Sequence, residues 1–531
     1  MDNILLDASI GCPAVVSVLR DRLTIVSRIK DEGLSFLTIT LPQFCRDFEQ
    51  ALQQGYVDST LFRPFKKAKG GLIPAFLQGI TSHIFDQETG RIYDEVTPIF
   101  VEAIRQICLA FKKVEVACSR KREQAAVDNY VLVEQELHRS IVPAENVEEF
   151  LSVSECLWHN CLANISVDLL VPRHGPGATA ERIMGNSKYV WREWYERLEV
   201  YFPFLGNAYS CSLGEGDTEF QNVTLVPPEK ERPVRVVLVP KTLKSPRVIA
   251  IEPVCMQYAQ QAIRSALYER IESYWLTRGH VNFTDQSINQ KLALTSSSDG
   301  RLATIDLSDA SDRVPRDLAL RMFDCNPDLQ GAVDACRSRE ALLPDGRLVS
   351  DLAKFASMGS ALCFPVEAMY FYTICVVALL KKHNLPVSPR NIFYVTRDVY
   401  IYGDDIIVPA GKAVAVVETL ETFGFKVNRR KSFWTGPFRE SCGKDYFLGA
   451  DVSVVRIREQ WPSSRRSVKE IVSLVSYRNQ LCEAGWLDTV QLLDDEIEKL
   501  LGVFPYVVAN SPLLGKVGPE PPVVDRWNSD L

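Results

Sequence analysis

The chain has 531 residues, of which 46% are hydrophobic and 24% are charged. This length and balance predict a globular protein with several subdomains and exclude a disordered chain or a fibre. The net charge of -7 gives no overall sign of nucleic-acid binding, so a nucleic acid would have to bind a local basic surface. Fourteen cysteines without a CxxC pair, beside six histidines, argue against zinc ribbons and indicate buried thiols in a reducing cytoplasm.

The N-terminal segment lacks the basic and long apolar regions of a secretory signal, so we expect the protein to stay where it is made. Residues 361–380 form the most apolar long stretch, but Pro365 and Glu367 interrupt it. This stretch therefore predicts a buried helix rather than a membrane span.

The first 170 residues are predicted to be mainly helical, with amphipathic spacing at residues 101–116 and 120–138. Residues 172–178, PRHGPGA, are dense in glycine and proline and predict an ordered loop. This loop lacks the spacing of a phosphate-binding P-loop, so its lone histidine, His174, indicates loop structure rather than catalysis.

Residues 235–251 contain two strand-like runs with the cations Lys241, Lys244 and Arg247 between and beside them. Cations fixed on paired strands are suited to hold a triphosphate and its departing pyrophosphate. A solvated hairpin is an equally good interpretation of these residues alone.

Residues 301–306, RLATID, predict a strand that ends in Asp306 and runs into a turn. An acid at the end of a core strand is a recurrent metal ligand, because the strand fixes its position while the tip stays open to solvent. Asp306 is therefore a candidate metal ligand.

Residues 399–409, VYIYGDDIIVP, predict a hairpin with Tyr402, Gly403, Asp404 and Asp405 at its turn. Two acids beside apolar strands repel each other, and a divalent cation would neutralise them. An ordinary acidic turn is the alternative for this pair alone. We expect Asp306 on a neighbouring strand to complete a Mg²⁺ site for nucleotidyl transfer.

Small residues at 355–361, FASMGSA, predict a loop that a substrate or template could approach, with tight packing as the alternative. After the hairpin, we expect a helix at 413–423, a strand at 424–428 and a cationic turn that ends in Lys431. A strand or hairpin at 443–450 and helices over 468–501 should follow.

The acid-ended strand, the Ser-Met-Gly loop with its helix, and the YGDD turn resemble, in this order, the palm motifs of RNA-directed RNA polymerases. Several segments are more closely similar to the replicase β subunit of small positive-strand RNA bacteriophages of the Qbeta type. These segments are residues 174–178, 237–253, 283–290, 302–312, 355–360, 402–409 and 436–452. The resemblance thus covers roughly residues 172–452.

The resemblance implies an α+β fold, a right-hand polymerase with an antiparallel palm sheet, fingers and a helical thumb. The expected regions are 1–230 for the N-terminal part and fingers, 231–300 for the cationic strands and remaining fingers, 301–450 for the palm, and 451–531 for the thumb and C-terminal tail.

The resemblance also implies roles for individual residues. Asp306 and Asp404 match the metal-binding aspartates, Asp405 supports them, and Lys431 matches a lysine that protonates pyrophosphate. The expected nucleotide-binding residues are Lys241, Lys244, Arg247, Asp312, Ser357 and Gly359.

Asp312 matches the acid that senses the ribose, although it could instead cap the helix that follows it. Many viral polymerases contact the ribose through an asparagine after the Ser-Gly loop, and residues 360–367 contain none.

The activity implied by the resemblance is template-directed RNA synthesis from ribonucleoside triphosphates with two Mg²⁺ ions, for which Mn²⁺ could substitute. Implied partners are RNA template and product, host elongation factors Tu and Ts and a host ribosomal protein, in the cytoplasm of an infected bacterium and without a membrane. Two rival functions are open. A reverse transcriptase usually needs a bulky aromatic residue near the sugar, where this chain has the small Ser311. A non-catalytic RNA-binding protein could lose Asp306 or Asp404, and both are present.

Overall fold

The structure is a computed structural model, and it describes residues 1–12, 18–208 and 223–519. The chain forms two compact units. The first unit comprises Met1–Ser119, Pro240–Ser245 and Asp445–Leu531, and the second comprises Arg120–Val239 and Pro246–Lys444. Both helices and sheets occur, as the predicted α+β class requires.

The α-helices of the described residues are α1 Asp2–Gly11, α2 Leu19–Glu32, α3 Leu41–Gln54, α4 Gln78–Thr81, α5 Pro98–Leu109, α6 Arg120–Arg139, α7 Ala144–Leu162, α8 Glu196–Glu199, α9 Phe204–Asn207, α10 Val254–Ser273, α11 Ser287–Asp299, α12 Arg316–Arg321, α13 Pro327–Ala335, α14 Cys363–His383, α15 Pro389–Val395, α16 Ala413–Thr422, α17 Val468–Glu483 and α18 Leu487–Leu501. A π-helical turn, Phe36–Thr40, precedes α3, and short 3₁₀ turns include Ser311–Arg313.

The strands are β1 Glu193–Tyr195, β2 Thr224–Val226, β3 Val234–Thr242, β4 Ser245–Ile251, β5 Leu302–Ile305, β6 Leu307–Ser308, β7 Ala341–Leu342, β8 Leu348–Val349, β9 Tyr400–Tyr402, β10 Asp405–Pro409, β11 Lys426–Val427, β12 Phe438–Ser441, β13 Lys444–Phe447 and β14 Ala450–Asp451.

Helix α14 is the core of the second unit. By length and composition it could cross a membrane, but 94% of its apolar window is buried inside the protein. Its apolar residues cover all sides of the helix, as expected for a helix surrounded by other elements. The prediction of a buried helix here is confirmed.

A three-stranded antiparallel sheet, in the order β5-β10-β9, carries the predicted acids of the second unit. Ile305 pairs with Ile406, and Ile406 pairs with Ile401 on the other side. All four residues of β5 are buried, as are Ile406, Ile407 and Val408 of β10. Burial on both faces explains why these strands read as continuous apolar runs.

The predicted cationic strands are β3 and β4, which lie in a sheet of order β4-β3-β7-β8. Residues Pro240–Ser245, at the tip of this hairpin, belong to the first unit, whereas Pro246 onward belongs to the second.

In the first unit, partly buried hydrogen bonds connect helices α1 and α18. The Asp7 carboxylate of α1 accepts hydrogen bonds from the backbone N–H groups of Asp488 at 2.8 Å and Thr489 at 2.9 Å. These N–H groups have no partner within α18, so the acid satisfies its first turn. Within the C-terminal part, Arg478 forms a buried ion pair with Asp494, at 2.7 Å.

The elements expected after the YGDD hairpin are present as α16, β11, β13, β14, α17 and α18. The helix expected at 101–116 is wrong at both ends: α5 begins at Pro98, a favourable first helical residue, and ends at Leu109. The four regions expected from the resemblance do not coincide with the two compact units and stay a prediction. Residues 520–531 of the expected tail lie outside the described residues.

Candidate active site

The YGDD residues form the predicted tight turn between β9 and β10. Tyr402 pairs with Asp405, so Gly403 and Asp404 are the two central residues. Gly403 has a φ of 61°, which the first central residue of a type II′ turn requires. A Cβ atom on Gly403 would lie 2.0 Å from Cε2 of Phe364, so the close approach of this ring also requires glycine. The turn leaves Asp404 exposed and Asp405 half-buried.

Asp306 lies directly after β5, on the strand that pairs with β10. Its Oδ2 accepts a hydrogen bond from Nδ2 of Asn428 at 2.8 Å, and its carbonyl oxygen accepts one from the Asn428 N–H at 2.9 Å. The Asp306 N–H donates to Oγ of Ser432 at 3.0 Å. Asp306 is therefore fixed by Asn428 and Ser432, the residues on either side of the predicted cationic turn.

Burial, with a contribution from neighbouring acids, raises the pKa of Asp306 and of Asp405. Burial raises the pKa of Asp306 to about 6, and the charges of Glu440 and Asp404 add to this, while Lys431 and the hydrogen bond from Asn428 lower it. Burial likewise raises the pKa of Asp405 to about 6, and Asp404, Glu440 and Asp306 contribute. Asp306 and Asp405 thus share one partly buried environment with Asp404 and Glu440, in which the negative charges outnumber the positive charge of Lys431.

This donor set fits a divalent cation in its chemistry, because carboxylates are the ligands that Mg²⁺ prefers and a cation would relieve their repulsion. Among the described residues, however, no three His, Cys, Asp or Glu side chains converge closely enough to form a metal site. Asp306 and Asp404 thus lie at the same end of the sheet, but the described side chains do not form a complete set of metal ligands.

Lys431 contributes the cation beside these acids. Its Nζ lies 3.4 Å from Oε1 of Glu440 on β12, and its side chain is partly exposed. The structure therefore brings Lys431 to Asp306, as expected, and adds Glu440 and Asn428, which the sequence analysis missed. A polar residue in a short strand or turn gives no signal of this role in one sequence.

The Ser-Met-Gly loop is docked against β4. Gly359 has a φ of 132°, and a Cβ atom there would lie 2.0 Å from the carbonyl oxygen of Ala250. The Ala250 N–H donates to the carbonyl oxygen of Met358 at 2.9 Å. Oγ of Ser357 lies 3.0 Å from the hydroxyl of Tyr130 on α6. The predicted residues Ser357 and Gly359 are therefore held by the cationic strand and by helix α6.

Asp312 does not cap the following helix. The residue before α12 is Pro315, and no side chain caps that helix. Instead, Oδ1 of Asp312 lies 3.0 Å from Nζ of Lys354. The helix-cap alternative for Asp312 is wrong, because its carboxylate is engaged by a buried lysine that the sequence analysis missed.

The three predicted triphosphate-binding cations fall in different units. Arg247 lies exposed on β4, and no ion pair of its side chain occurs among the described residues. Lys241 and Lys244 are exposed at the tip of the β3–β4 hairpin, within the first unit. Their joint action on a triphosphate stays a prediction.

Glu367 occupies the helix that follows the loop and was not a predicted site residue. Burial raises the pKa of Glu367 well above its ordinary value, and the charges of Asp404 and Asp312 raise it further. A buried acid on an apolar helix is costly unless it is neutral or paired, which is the sequence signal that could have marked it.

The HGPGA loop is a packed structural element. The His174 ring stacks on Trp191 with ring centroids 5.3 Å apart and contacts Tyr258 at 4.5 Å. Lys188 donates hydrogen bonds from its Nζ to the carbonyl oxygens of Gly175 at 2.7 Å and Gly177 at 2.5 Å. Burial lowers the pKa of His174 to about 4, so the ring is neutral at pH 7. This agrees with the interpretation of His174 as loop structure.

Residues 223–486 match the family described as RNA replicase, beta-chain. The RNA-directed RNA polymerase subunit beta of Qbeta virus (strain MX1) is 37% identical over 226 residues, which cover 43% of this chain and 36% of that protein. The corresponding subunit of Enterobacteria phage SP is 34% identical over 258 residues, which cover 48% of this chain and 40% of that subunit. The RNA-directed RNA polymerase beta chain of Escherichia phage MS2 is 34% identical over 251 residues, which cover 47% of this chain and 41% of that protein.

The matched stretch therefore spans less than half the length of these relatives. Among solved structures, the RNA-dependent RNA polymerase of a human picobirnavirus is similar to the chain with a TM-score of 0.33 and 12% identity, over 50% of this chain and 55% of that one. The matched stretch contains the β5-β10-β9 sheet, the docked loop and Lys431, that is, the acids and the cation described above. Over residues 223–486, this chain is thus similar to the RNA replicase β-chain family.

Proposed function

We propose that the chain is an RNA-directed RNA polymerase, which joins ribonucleotides to an RNA 3′ end under the direction of an RNA template. The observation that carries the proposal is the placement of Asp306 and the Asp404-Asp405 turn on paired strands of one sheet. This sheet lies within the stretch that matches the replicase family.

In the reaction, the 3′-hydroxyl oxygen forms a bond with the α-phosphorus of the incoming nucleotide, and the bond from that phosphorus to the pyrophosphate oxygen breaks. Asp306 and Asp404 would hold two Mg²⁺ ions, whose charge activates the hydroxyl and stabilises the leaving pyrophosphate. Asp405 is held away from solvent by the Cys442 N–H at 3.1 Å and orients the turn.

The remaining residues position the nucleotide. Arg247 would bind the triphosphate, since a guanidinium group forms charge-assisted hydrogen bonds with phosphate oxygens. Lys241 and Lys244 are proposed as nucleotide-binding residues on the family resemblance. Lys431 would return a proton to the departing pyrophosphate. The charge of Lys431 acts on Asp306, and this proximity to the proposed metal ligand supports the role.

Sugar selection is proposed for Asp312, with Ser357 and Gly359 supporting the nucleotide from the docked loop. The side chain of Asp312 is 19% exposed, so its carboxylate is reachable from solvent while Lys354 holds it from the inside. A carboxylate in that position can accept a hydrogen bond from a ribose hydroxyl, which a deoxynucleotide lacks.

The right-hand arrangement of fingers, palm and thumb is part of the same proposal, with the β5-β10-β9 sheet as the palm. On the family resemblance, we also propose host elongation factors Tu and Ts and a ribosomal protein as partners in the cytoplasm of an infected bacterium.

The test is incorporation of labelled ribonucleotides by the purified chain with Mg²⁺ and an RNA template of known sequence. We expect a product complementary to the template that requires all four ribonucleotides. Product made without template, or made from deoxynucleotides with equal efficiency, would contradict RNA-directed RNA synthesis. Host factors are then added singly, to measure whether any of them raises the rate.

A further inference from the structure

Lys354 is a fully buried cation in the second unit, with 0% of its side chain exposed. Its Nζ lies 3.0 Å from Oδ1 of Asp312 and 3.4 Å from Oε2 of Glu134. It also lies 3.6 Å from the centroid of the Tyr130 ring, a distance typical of a cation–π contact. One buried lysine therefore contacts the proposed sugar-sensing acid and two residues of helix α6.

The backbone fixes Lys354 relative to Asp312. The segment around Lys354 pairs with the segment after Asp312: the Arg316 N–H donates to the carbonyl oxygen of Ala353 at 2.8 Å, and the Phe355 N–H donates to that of Val314 at 2.8 Å. The Lys354 N–H donates to Oε1 of Glu134 at 3.3 Å. Both main chain and side chain thus hold the lysine against the acid.

Lys354 is also linked to the Ser-Met-Gly loop. Tyr130 lies beneath its ammonium group, and the hydroxyl of the same tyrosine lies 3.0 Å from Oγ of Ser357. Ser357 follows Lys354 by only three residues, in the same loop. A displacement of the ammonium group would therefore reach both nucleotide-binding residues, Asp312 and Ser357.

The electrostatics show why the lysine is charged. Burial alone would lower the pKa of Lys354, but the charges of Asp312 and Glu134 raise it above its ordinary value. A buried charge is stable only when it is paired. Among the described residues, Lys354 is the only side chain that forms an ion pair with Asp312. Removal of the lysine would therefore leave Asp312 free to rotate or to move toward solvent.

We propose that Lys354 is a positioning residue for sugar selection. It holds the Asp312 carboxylate toward the nucleotide ribose and, through Tyr130, fixes the position of Ser357 relative to Asp312. The inference rests on the proposed function, because Asp312 is assigned to the ribose there. The ligand is a ribonucleoside triphosphate, and the lysine acts on it through Asp312 rather than by contact.

The central variant is Lys354→Met, which keeps the length of the side chain and removes the cation. We expect the ratio of kcat/KM between a ribonucleotide and its 2′-deoxy analogue to narrow about tenfold. The same change in an Asp312→Ala background should have no further effect on the ratio, because the lysine acts through that acid.

Two further variants test the role of Lys354 if the Lys354→Met chain does not fold. The double variant Lys354→Met, Glu134→Gln removes one positive and one negative charge, so the net charge of the cluster is unchanged. Lys354→Arg keeps the cation but changes its geometry, and we expect an intermediate ratio. The matched control is Arg197→Met, which breaks another ion pair of the second unit, the largely buried pair with Glu231. This control should lower stability and leave the ratio unchanged.

Equilibrium binding of labelled ATP and dATP by the full chain is measured beside the kinetics. This second readout separates the two proposals: a chain that prefers ATP but makes no RNA contradicts the proposed function, and Lys354 is then judged on binding alone. The role of Lys354 would be overturned if the ratio of kcat/KM between ribonucleotide and 2′-deoxy analogue were unchanged in every folded Lys354 variant. It would also be overturned if Lys354→Met narrowed this ratio further in the Asp312→Ala background. Binding without preference for ATP in the wild type would overturn it as well.

Discussion

Gly403 is the position where the structure predicts the sharpest effect of a single methyl group. In Gly403→Ala, the new Cβ would lie 2.0 Å from Cε2 and 2.6 Å from Cδ2 of the Phe364 ring. Ordinary carbon contacts are about 3.5–4.0 Å, so the ring or the turn must move by more than an ångström. The turn carries Asp404, so a shift of this size would displace the proposed metal ligand.

Two terms contribute to the expected loss of stability. The left-handed φ of 61° costs an alanine about 1–2 kcal/mol relative to glycine. Overpacking against the ring adds about 1–3 kcal/mol. We therefore expect Gly403→Ala to lower the free energy of unfolding by about 2–5 kcal/mol in the wild-type background.

A double-mutant cycle with Phe364→Ala separates these terms. Without the ring, only the backbone term remains, so the penalty of Gly403→Ala should fall to about 1–2 kcal/mol. The assay is denaturant unfolding of the four full-length variants, followed by circular dichroism. The same penalty with and without the ring would refute the reasoning, since the clash would then play no part.

Two other predictions concern Glu252 and Arg247. Burial raises the pKa of Glu252 to about 7, although Ser338 and the charge of Arg337 oppose this, so the folded chain keeps a proton that the unfolded chain loses above its ordinary value near 4.5. The free energy of unfolding should therefore fall as pH rises from about 5 to 7. Glu252→Gln should make this fall smaller by about 3 kcal/mol, as measured by denaturant titrations at each pH. An equal effect of Glu148→Gln, at an exposed residue, would contradict the assignment to Glu252. Arg247→Ala should raise KM for all four ribonucleotides alike, because phosphate contacts carry no base information. Arg247→Lys should restore KM only in part, since an ammonium group cannot grip two oxygens, and a change confined to one nucleotide would count against the phosphate role.

The acids of the site could be predicted from sequence because local pattern determines their position. The apolar runs around Gly403 and before Asp306 define strands, and the residue that follows or precedes a strand lies at the end of the sheet. The pairing of these two strands then follows from the need to bury both. The same reasoning located the loop of Ser357 before a buried helix.

The residues that support these acids could not be predicted in this way. Lys354 reads as one lysine in a polar loop, and only the pairing of its segment with residues 314–316 buries it. Helix α6 showed amphipathic spacing, but the polar members of its buried face, Tyr130 and Glu134, match no motif. Asn428 and Glu440 likewise acquire a role only through tertiary contacts with Asp306 or Lys431.

The boundaries of the two compact units also could not be predicted from the sequence pattern. The β3–β4 hairpin is continuous in sequence, yet its tip belongs to the first unit and its base to the second. Periodicity identifies the two strands but carries no information on which core each end joins. The roles of Lys241 and Lys244 therefore depend on the family resemblance alone.

The central claim, that Asp404 holds a catalytic metal for RNA synthesis, is tested most directly by Asp404→Asn. This variant keeps the size of the side chain and removes one charge, and it is compared with Asp398→Asn, which only breaks a long ion pair with Arg301, at 3.8 Å. Template-directed incorporation of ribonucleotides with Mg²⁺ is measured for both variants and the wild type. We expect Asp404→Asn to fold normally and to lose at least about 100-fold in rate, while Asp398→Asn stays near wild type. Near wild-type incorporation by a folded Asp404→Asn chain would contradict the account.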